Sequence, residues 1–435
     1  MTERTVISAL AALEEGPVKV QGWVDTVRDQ KKVQFIVLHD ETGACQLVNP
    51  RTEDREHISE VISPLAKGTM LTIEGDLKHD ERVKLGGLEV KISSITVESA
   101  ALPETPIADD SAIDVRLDWR FLDLRTERNN LMFRVQTTFV NAMRQYWIEN
   151  DYIEIFTPKL MASASETKAE LFEVGYFDRK AYLAQSPQFF KQMAQSAGFG
   201  RIFEIGPVFR ADPSFTSRHA TEFTGVDAEV SWINSHEDVM QMQEELLRTA
   251  LTAVKEKHGD DIERVFGVEI KVPGPIPRVP LLEARKIVES RGHKFERQDL
   301  DMDPEGEREI GRWALEEHDS EFVFLTDYPA SIRPFYHMRH DYDASLTKSY
   351  DLIWNGVEIS TGAQREHRID VLEQQVVEKG MDADELGFYL DFFRYGAPPH
   401  GGFGMGLARM MMLMLHQPNL REVTYLFRGP NRLQP

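Results

Sequence analysis

The sequence predicts an α+β chain in two parts, a small N-terminal β-barrel followed by a larger domain that mixes strands with helices. Three observations carry that prediction: five short alternating runs with one helix-compatible stretch after the third, an acidic Pro-containing connector without periodicity, and an amphipathic helix that opens the remainder. The 435 residues suggest two or three domains, and 41% apolar against 28% charged residues suits a globular protein able to bury a core.

The alternating runs lie at 18–27, 33–38, 44–48, 70–77 and 88–97, separated by turn residues such as 40–43 and Gly86-Gly87; the charged stretch 52–62 is helix-compatible. Five strands with a helix after the third is the order of an OB-fold barrel, a scaffold for oligonucleotides, expected here at 1–102. The stretch 102–110 contains Pro103, Pro106 and three acids and reads as a linker, which we extend over 103–130. A second domain is expected at 131–435. It opens with Met132, Val135, Phe139, Met143, Tyr146 and Trp147 at helical spacing. Strands are expected at 152–156, 201–205, 208–210 and 223–232, then a long helix from His236 to about His258. The stretch 267–342 is broken by Pro273, Pro275, Pro277 and Pro280 and is densely acidic at 299–309; we expect an insertion there. The chain should end with a single strand at 349–359, helices at 371–379 and 383–394, a Gly-rich turn, and a helix at 407–415.

Lys and Arg number 50 against 72 Asp and Glu, and the net charge of −22 argues against a protein that grips nucleic acid by diffuse phosphate attraction. A local basic site stays open. The single cysteine, Cys45, excludes an internal disulfide framework and a Cys-based zinc cluster, and points to the reducing cytoplasm. The longest apolar run, 410–415, falls far below the roughly 20 residues of a membrane helix, and the first residues lack a signal-peptide pattern. A cytoplasmic protein without a membrane partner is expected.

Three segments carry chemistry. The first is the helix that ends near Asn150, followed by Tyr152-Ile-Glu-Ile-Phe-Thr-Pro158, which alone is an ordinary helix and strand. The second runs from Val208-Phe-Arg210 through Arg218-His219 to Phe223. An arginine fork suits phosphate oxygens and an aromatic face suits a planar ring, while a solvated hairpin tip is the plain alternative. The third is Pro398-Pro-His-Gly-Gly-Phe-Gly-Met-Gly-Leu-Ala-Arg409, where glycines allow close approach to a nucleotide and a helix start favours phosphate. A dinucleotide-binding βαβ unit is excluded, because too little chain follows.

In this order and after an OB-like domain, the segments resemble motifs 1, 2 and 3 of class II aminoacyl-tRNA synthetases, placed near 131–160, 201–232 and 398–416. Gln185-Ser-Pro-Gln-Phe-Phe-Lys191, Arg218-His-Ala-Thr-Glu-Phe-Thr-Gly-Val-Asp227, Gly356-Val-Glu-Ile-Ser-Thr-Gly-Ala-Gln-Arg365 and Pro398-Pro-His-Gly-Gly402 narrow the resemblance to aspartyl-tRNA synthetases of the compact archaeal and eukaryotic type. The resemblance implies a catalytic domain built on an antiparallel sheet flanked by helices. It also implies a homodimer, and a ligase that uses ATP with Mg2+ to attach L-aspartate to tRNA-Asp.

It further implies residue roles. Lys191 and Arg365 would hold the substrate's side-chain carboxylate, with Arg able to pair bidentately. Asp227, Gln188, Ser186 and Glu166 would meet its ammonium, and Thr361 would join the pocket. ATP would lie along Arg210, Ala211, Asp212, Arg218, His219, Ala220, Phe223, Glu358, Gly406, Leu407, Ala408 and Arg409. Arg210 and Arg409 are the catalytic candidates, Arg210 at the α-phosphate. Mg2+ would sit at Asp351, Glu358 and Thr361. Asp351 and Glu358 are seven apart, so on one strict strand a bulge is needed to bring them to one face. Asp25, Arg28, Phe35, Gln46, Lys84 and Glu89 match anticodon-reading positions, with Phe35 as a stacking ring or, alternatively, a buried strand aromatic. Asp25 departs from the family's Trp or His while Lys84 matches the strict type, so tRNA-Asn stays open as a second acceptor. Ala408 stands where an acid usually precedes the arginine, and the loop around Glu166 lacks the family's two glycines. Asparaginyl-tRNA synthetase, or a non-catalytic tRNA-binding paralogue, are the alternatives.

Overall fold

A computed structural model describes residues 3–108, 110–162, 170–214, 216–295 and 300–435. The chain divides into two compact units, Met1–Asn130 with Pro435, and Leu131–Gln434.

The first unit is a closed barrel of β1 (Gly16–Asp29), β2 (Val33–His39), β3 (Ala44–Pro50), β4 (Met70–His79) and β5 (Leu88–Ser99), in the order β1-β2-β3-β5-β4. Alternation explains it. Val18, Val20 and Val24 of β1, Ile36 and Leu38 of β2, and Ile73 and Leu77 of β4 are buried, while Lys19, Gln21, Trp23, Val37, Glu74 and Asp76 between them are more open to solvent. The short helix α1 (Glu56–Ile62) adds Ile58 and Ile62 to the same core. Register shifts at Asp25 and in the β4–β5 ladder bend the strands into closure. Beyond the barrel, 103–130 carries two short helices, α2 (Ile113–Asp118) and α3 (Arg120–Asp123). There the buried Arg120 pairs with Asp123, which Arg116 also reaches at 3.2 Å.

The second unit is entered through the long helix α4 (Glu127–Glu149). Its strands are β6 (Ile153–Glu154), β7 (Leu160–Met161), β8 (Glu173–Tyr176), β9 (Arg179–Leu183), β10 (Arg201–Phe209), β11 (Glu222–Ser231), β12 (Arg278–Pro280), β13 (Phe322–Thr326), β14 (Ser349–Trp354), β15 (Val357–Gln364) and β16 (His400–Gly406). Its helices are α5 (Gln188–Ser196), α6 (His236–Phe266), α7 (Leu281–Ser290), α8 (Pro304–His318), α9 (Ile369–Glu378), α10 (Gly387–Arg394), α11 (Leu407–Met414) and α12 (Leu420–Val423). Eight strands form one mostly antiparallel sheet, β12-β13-β14-β15-β16-β11-β10-β6, and β7-β9-β8 form a small second one. One face of the large sheet is apolar: Val226, Ala228 and Val230 of β11, Phe403 and Met405 of β16, and Tyr350 and Leu352 of β14 pack with α4, α6 and α11. The opposite face carries the polar residues of the cleft. Toward β13 and β14 that face is covered by α7 and α8 over Val323, Leu325 and Ile353.

Several expectations are corrected. The strand expected at 152–156 shortens to Ile153–Glu154, beside Ile202 and Phe203, with the Ile155 N–H also donating to the Phe203 carbonyl at 2.9 Å ahead of Pro158. The helix from His236 runs past His258 to Phe266 and stops at Gly267, whose φ of 69° ends it with a left-handed residue. The stretch 267–342 supplies β12 and β13, two strands of the main sheet. The Gly-rich turn before Arg409 is the strand β16, with Phe403 and Met405 inward and Gly402, Gly404 and Gly406 outward. The single strand expected at 349–359 is a hairpin. Asn355 and Gly356, at φ 48° and 74°, make its two-residue turn. Asp351 and Glu358 therefore stand on different strands. The bulge lies in the β14–β15 ladder, where Leu352 pairs with Ser360 but Ile353 with Glu358, and it puts Glu358 and Thr361 on the face of Asp351.

Candidate active site

The polar face of β11 and β16 sets the floor of the cleft. In β11, Asp227 and Glu229 alternate with the core residues Val226, Ala228 and Val230, so both acids point to one side. Gly404 lies opposite Asp227 and Gly402 opposite Glu229 in the neighbouring strand. A Cβ at Gly404 would come within 3.0 Å of Asp227 Oδ1, and one at Gly402 would collide with the Ala228 carbonyl. The glycines thus make room for the acids and whatever binds above them.

Two cations meet those acids. Pro187 precedes α5, whose Gln188, Lys191, Gln192 and Gln195 share one buried face at helical spacing. Lys191 Nζ lies 2.9 Å from Asp227 Oδ1 and 3.5 Å from Glu229 Oε2, and donates to the Phe403 carbonyl at 3.1 Å. Arg365 follows β15 and donates from Nε to Glu229 Oε1 at 2.9 Å, and from Nη2 to the Gly402 carbonyl at 3.0 Å. Its Nη1 meets His337 Nε2 at 3.1 Å. Lys191 and Arg365 expose 1% and 2% of their surface. Burial raises the Asp227 carboxyl against the pull of Lys191. Burial would also raise Glu229, but Arg365 and Lys191 together hold it below the ordinary carboxylate range. Gln188 is buried and bonds Gln192 at 3.0 Å, and its backbone N–H donates to Ser186 Oγ at 3.3 Å. Glu166 lies outside the described residues.

A second group converges at the other end. Arg210 leaves β10 with its guanidinium 5.5 Å over the Phe223 ring. His219 lies among Arg409, Arg218 and Arg210, 3.8 Å from Asp212; burial first, then those cations, depress it. The Ala211 N–H donates to the Glu170 carbonyl at 3.0 Å, and Ala220 packs on the edge of the core. Gly406 faces Gly225 and caps α11, so Leu407 and Ala408 open the helix and place Arg409 one residue later. Arg409 donates to the Glu358 carbonyl at 2.7 Å. Glu358 keeps 38% of its side chain exposed, yet desolvation inside the cleft and then the Asp351 charge push it up to about 7. Asp351 accepts from Thr361 Oγ1 at 2.8 Å and from Arg333 at 2.6 Å. Two residues that the sequence did not disclose complete this end, Arg333 on Asp351 and Glu307 of α8, which binds Arg218 at 2.7 Å; a third, His337, stands against Arg365 at the first end. Glu229 was also missed, although its spacing of two from Asp227 in an apolar strand is a legible signal.

On the barrel, Arg28, Phe35, Gln46 and Glu89 form one row. Arg28 lies 5.2 Å over the Phe35 ring and donates to Gln46 Oε1 at 2.9 Å, and Gln46 donates to Glu89 Oε2 at 3.0 Å. Phe35 is half-buried between the buried Gln34 and Ile36, so its ring belongs to the outer face. Asp25 sits apart at the β1 bulge, 3.2 Å from Lys67, and Lys84 is exposed between β4 and β5. Among the described residues no helix is long and apolar enough to cross a membrane.

An eight-stranded, mostly antiparallel sheet with paired buried charges on one face and an arginine cluster beside it defines a class of enzyme, and comparison with known proteins agrees. The family described as tRNA synthetases class II (D, K and N) matches residues 112–428, and the OB-fold nucleic acid binding domain matches 18–98. The chain belongs to the class II tRNA synthetases. It is 41% identical over 436 residues to the aspartate–tRNA(Asp/Asn) ligase of Aeropyrum pernix, covering 99% of this chain and 98% of that one. It is 38% identical to the aspartate–tRNA(Asp) ligase of Pyrococcus abyssi, over 96% of each chain. Among solved structures, asparaginyl-tRNA synthetase from Pyrococcus horikoshii with asparaginyl-adenylate matches at a TM-score of 0.92 and 31% identity, over 100% of both chains. A putative aspartyl-tRNA synthetase from Leishmania major matches at 0.91 and 28%, over 100% of this chain and 94% of that one.

Proposed function

We propose that this chain activates L-aspartate with ATP and transfers it to tRNA-Asp. The observation that carries this reading is the buried set of Lys191, Arg365, Asp227 and Glu229. Aspartate has two carboxylates and one ammonium, and its side-chain carboxylate calls for two cations where an amide calls for none. Lys191 and Arg365 take that carboxylate, and Asp227 with Gln188, Ser186 and Glu166 takes the ammonium. Arg210 neutralises the α-phosphate as the substrate's carboxylate oxygen attacks phosphorus and the bond to pyrophosphate breaks. Arg218 and His219 hold the distal phosphates, Phe223 takes the adenine ring, and Arg409 covers its other side. The terminal ribose hydroxyl of tRNA then attacks the acyl carbon, and AMP leaves. No protein nucleophile is required, and rate comes from positioning and charge.

Asp351, Glu358 and Thr361 suit a hard cation, because they offer oxygen donors on one face of the β14–β15 hairpin. Mg2+ there would neutralise phosphate charge. The exposed Ile148, Ile153, Phe156 and Leu160 around the first motif support a homodimer, which sedimentation would reveal. The row Arg28–Phe35–Gln46–Glu89 is the anticodon face, with Phe35 as the stacking ring.

Pyrophosphate exchange tests the reading: exchange with aspartate is expected, and exchange only with asparagine would replace it by the asparaginyl reading, which the neighbouring structures favour as the second choice. Charging purified tRNA-Asp and tRNA-Asn side by side decides the acceptor.

A further inference from the structure

Apart from the cleft, three side chains with metal-ligand chemistry converge where the first turn of α6 meets the segment that follows β13. His340 Nε2 lies 2.7 Å from Asp327 Oδ1, and His236 Nε2 lies 3.8 Å from the same oxygen. One ligand atom from each of the three falls within 4.8 Å of the others. Both imidazoles are 9% exposed. A His–Asp hydrogen bond accounts for His340 but leaves the second ring unexplained. His236 stops short of bonding Asp327, and its Nδ1 is buried without a hydrogen-bond partner, a costly arrangement for a polar ring. Asp327 is built for a fixed direction: its φ is 58°, and Thr326 Oγ1 donates to Oδ2 at 3.0 Å, leaving Oδ1 for the histidines. Tyr342 closes over His340 with ring centres 4.7 Å apart. Lys348 also faces His236, but its ammonium reaches Asp341 at 3.4 Å.

We propose that His236, Asp327 and His340 bind a borderline divalent transition ion such as Zn2+, with water in the remaining position. Two imidazoles and one carboxylate form the donor set such ions prefer over Mg2+. The place in the fold gives the ion a task. Asp327 and His340 bracket a segment that carries Arg333, bonded to Asp351, and His337, bonded to Arg365. An ion that joins both ends of this segment to α6 pins the two residues that orient Asp351 and Arg365.

The test titrates metal-stripped full-length protein with Co2+ and follows visible absorption. One saturating equivalent per chain is expected, with bands stronger than those of aqueous Co2+ and displaced by Zn2+. The bands should persist in Asp351→Asn and vanish in His236→Ala and His340→Gln. Their absence from the unaltered protein, or their survival in both histidine variants, overturns the site. Because a histidine variant could misfold, a second measurement uses unaltered protein: Zn2+ in excess should raise the melting temperature by at least about 2 °C beyond any effect of Mg2+. No shift overturns the proposal equally.

Discussion

On the barrel, Arg28, Phe35, Gln46 and Glu89 lie side by side on an open sheet face, whereas in the cleft Lys191, Asp227, Glu229 and Arg365 are each almost wholly buried. Both surfaces are built on strands with period-two alternation, and both use charge and hydrogen bonds. They differ in solvent. A buried cation that loses its acid leaves an uncompensated charge, while an exposed pair that breaks is rehydrated. The cleft should therefore answer to single substitutions steeply and the barrel face gently.

The steepest response is expected at Lys191. Lys191→Met leaves Glu229 paired with Arg365 and takes from Asp227 the cation 2.9 Å away, and truncating a desolvated pair costs ~2–5 kcal/mol, roughly 30-fold to several thousand-fold in aspartate activation. Pyrophosphate exchange would report the loss while ATP binding survives. Unchanged KM and turnover for aspartate would remove Lys191 from the pocket and dissolve the contrast.

A second buried group responds to pH. Burial pushes His400 down to about 4 against the pull of Glu229, with its ring between Gln192 and the Pro398 carbonyl. The unfolded chain takes up a proton near the ordinary histidine value while the folded one does not. The contribution of His400 is thus complete above about pH 6.5 and is lost as pH falls toward 4, with a slope of at most about 1.4 kcal/mol per pH unit. Melting temperatures at about pH 7 and 5 should converge in His400→Gln relative to the unaltered protein. An identical acid shift in both would show that the imidazole is not what titrates.

The open face gives a smaller, more selective effect. Phe35→Ala removes a stacking ring, worth ~1–3 kcal/mol per base, and should raise KM for tRNA about 5- to 150-fold while leaving pyrophosphate exchange intact. Loss of exchange together with charging would mean that Phe35 supports the barrel itself and does not read tRNA.

How far the sequence disclosed these two regions follows from the same physics. The five barrel strands were legible because each alternates and each ends at turn residues, and the row of Arg28, Phe35, Gln46 and Glu89 lies on neighbouring strands. In the cleft, the resemblance supplied Lys191, Asp227 and Arg365, and the structure places them together. Glu229 is legible by its spacing of two from Asp227, but Glu307, Arg333 and His337 are not, because each acts through a contact distant in sequence, such as Arg218 with Glu307. Two misreadings were local and avoidable. Asn355-Gly356 is a hairpin turn in its own right, and Gly402-Phe-Gly-Met-Gly406 alternates large and small as a strand does.

The smallest effect marks the limit of the contrast. Lys67 and Asp25 approach to 3.2 Å with 54% and 41% of their side chains exposed. A pair so wetted contributes at most ~1 kcal/mol, because water competes for both partners and holding two side chains in one geometry costs entropy. Lys67→Ala should change the melting temperature only marginally, and any difference should shrink at high salt. Asp25 is then free to act on tRNA instead. If it takes part in choosing the acceptor, Lys67→Ala should alter the ratio of tRNA-Asp to tRNA-Asn charging without altering stability. A large loss of stability would show that the bulge at Asp25 depends on the pair, and that this end of the open face behaves like the buried cleft.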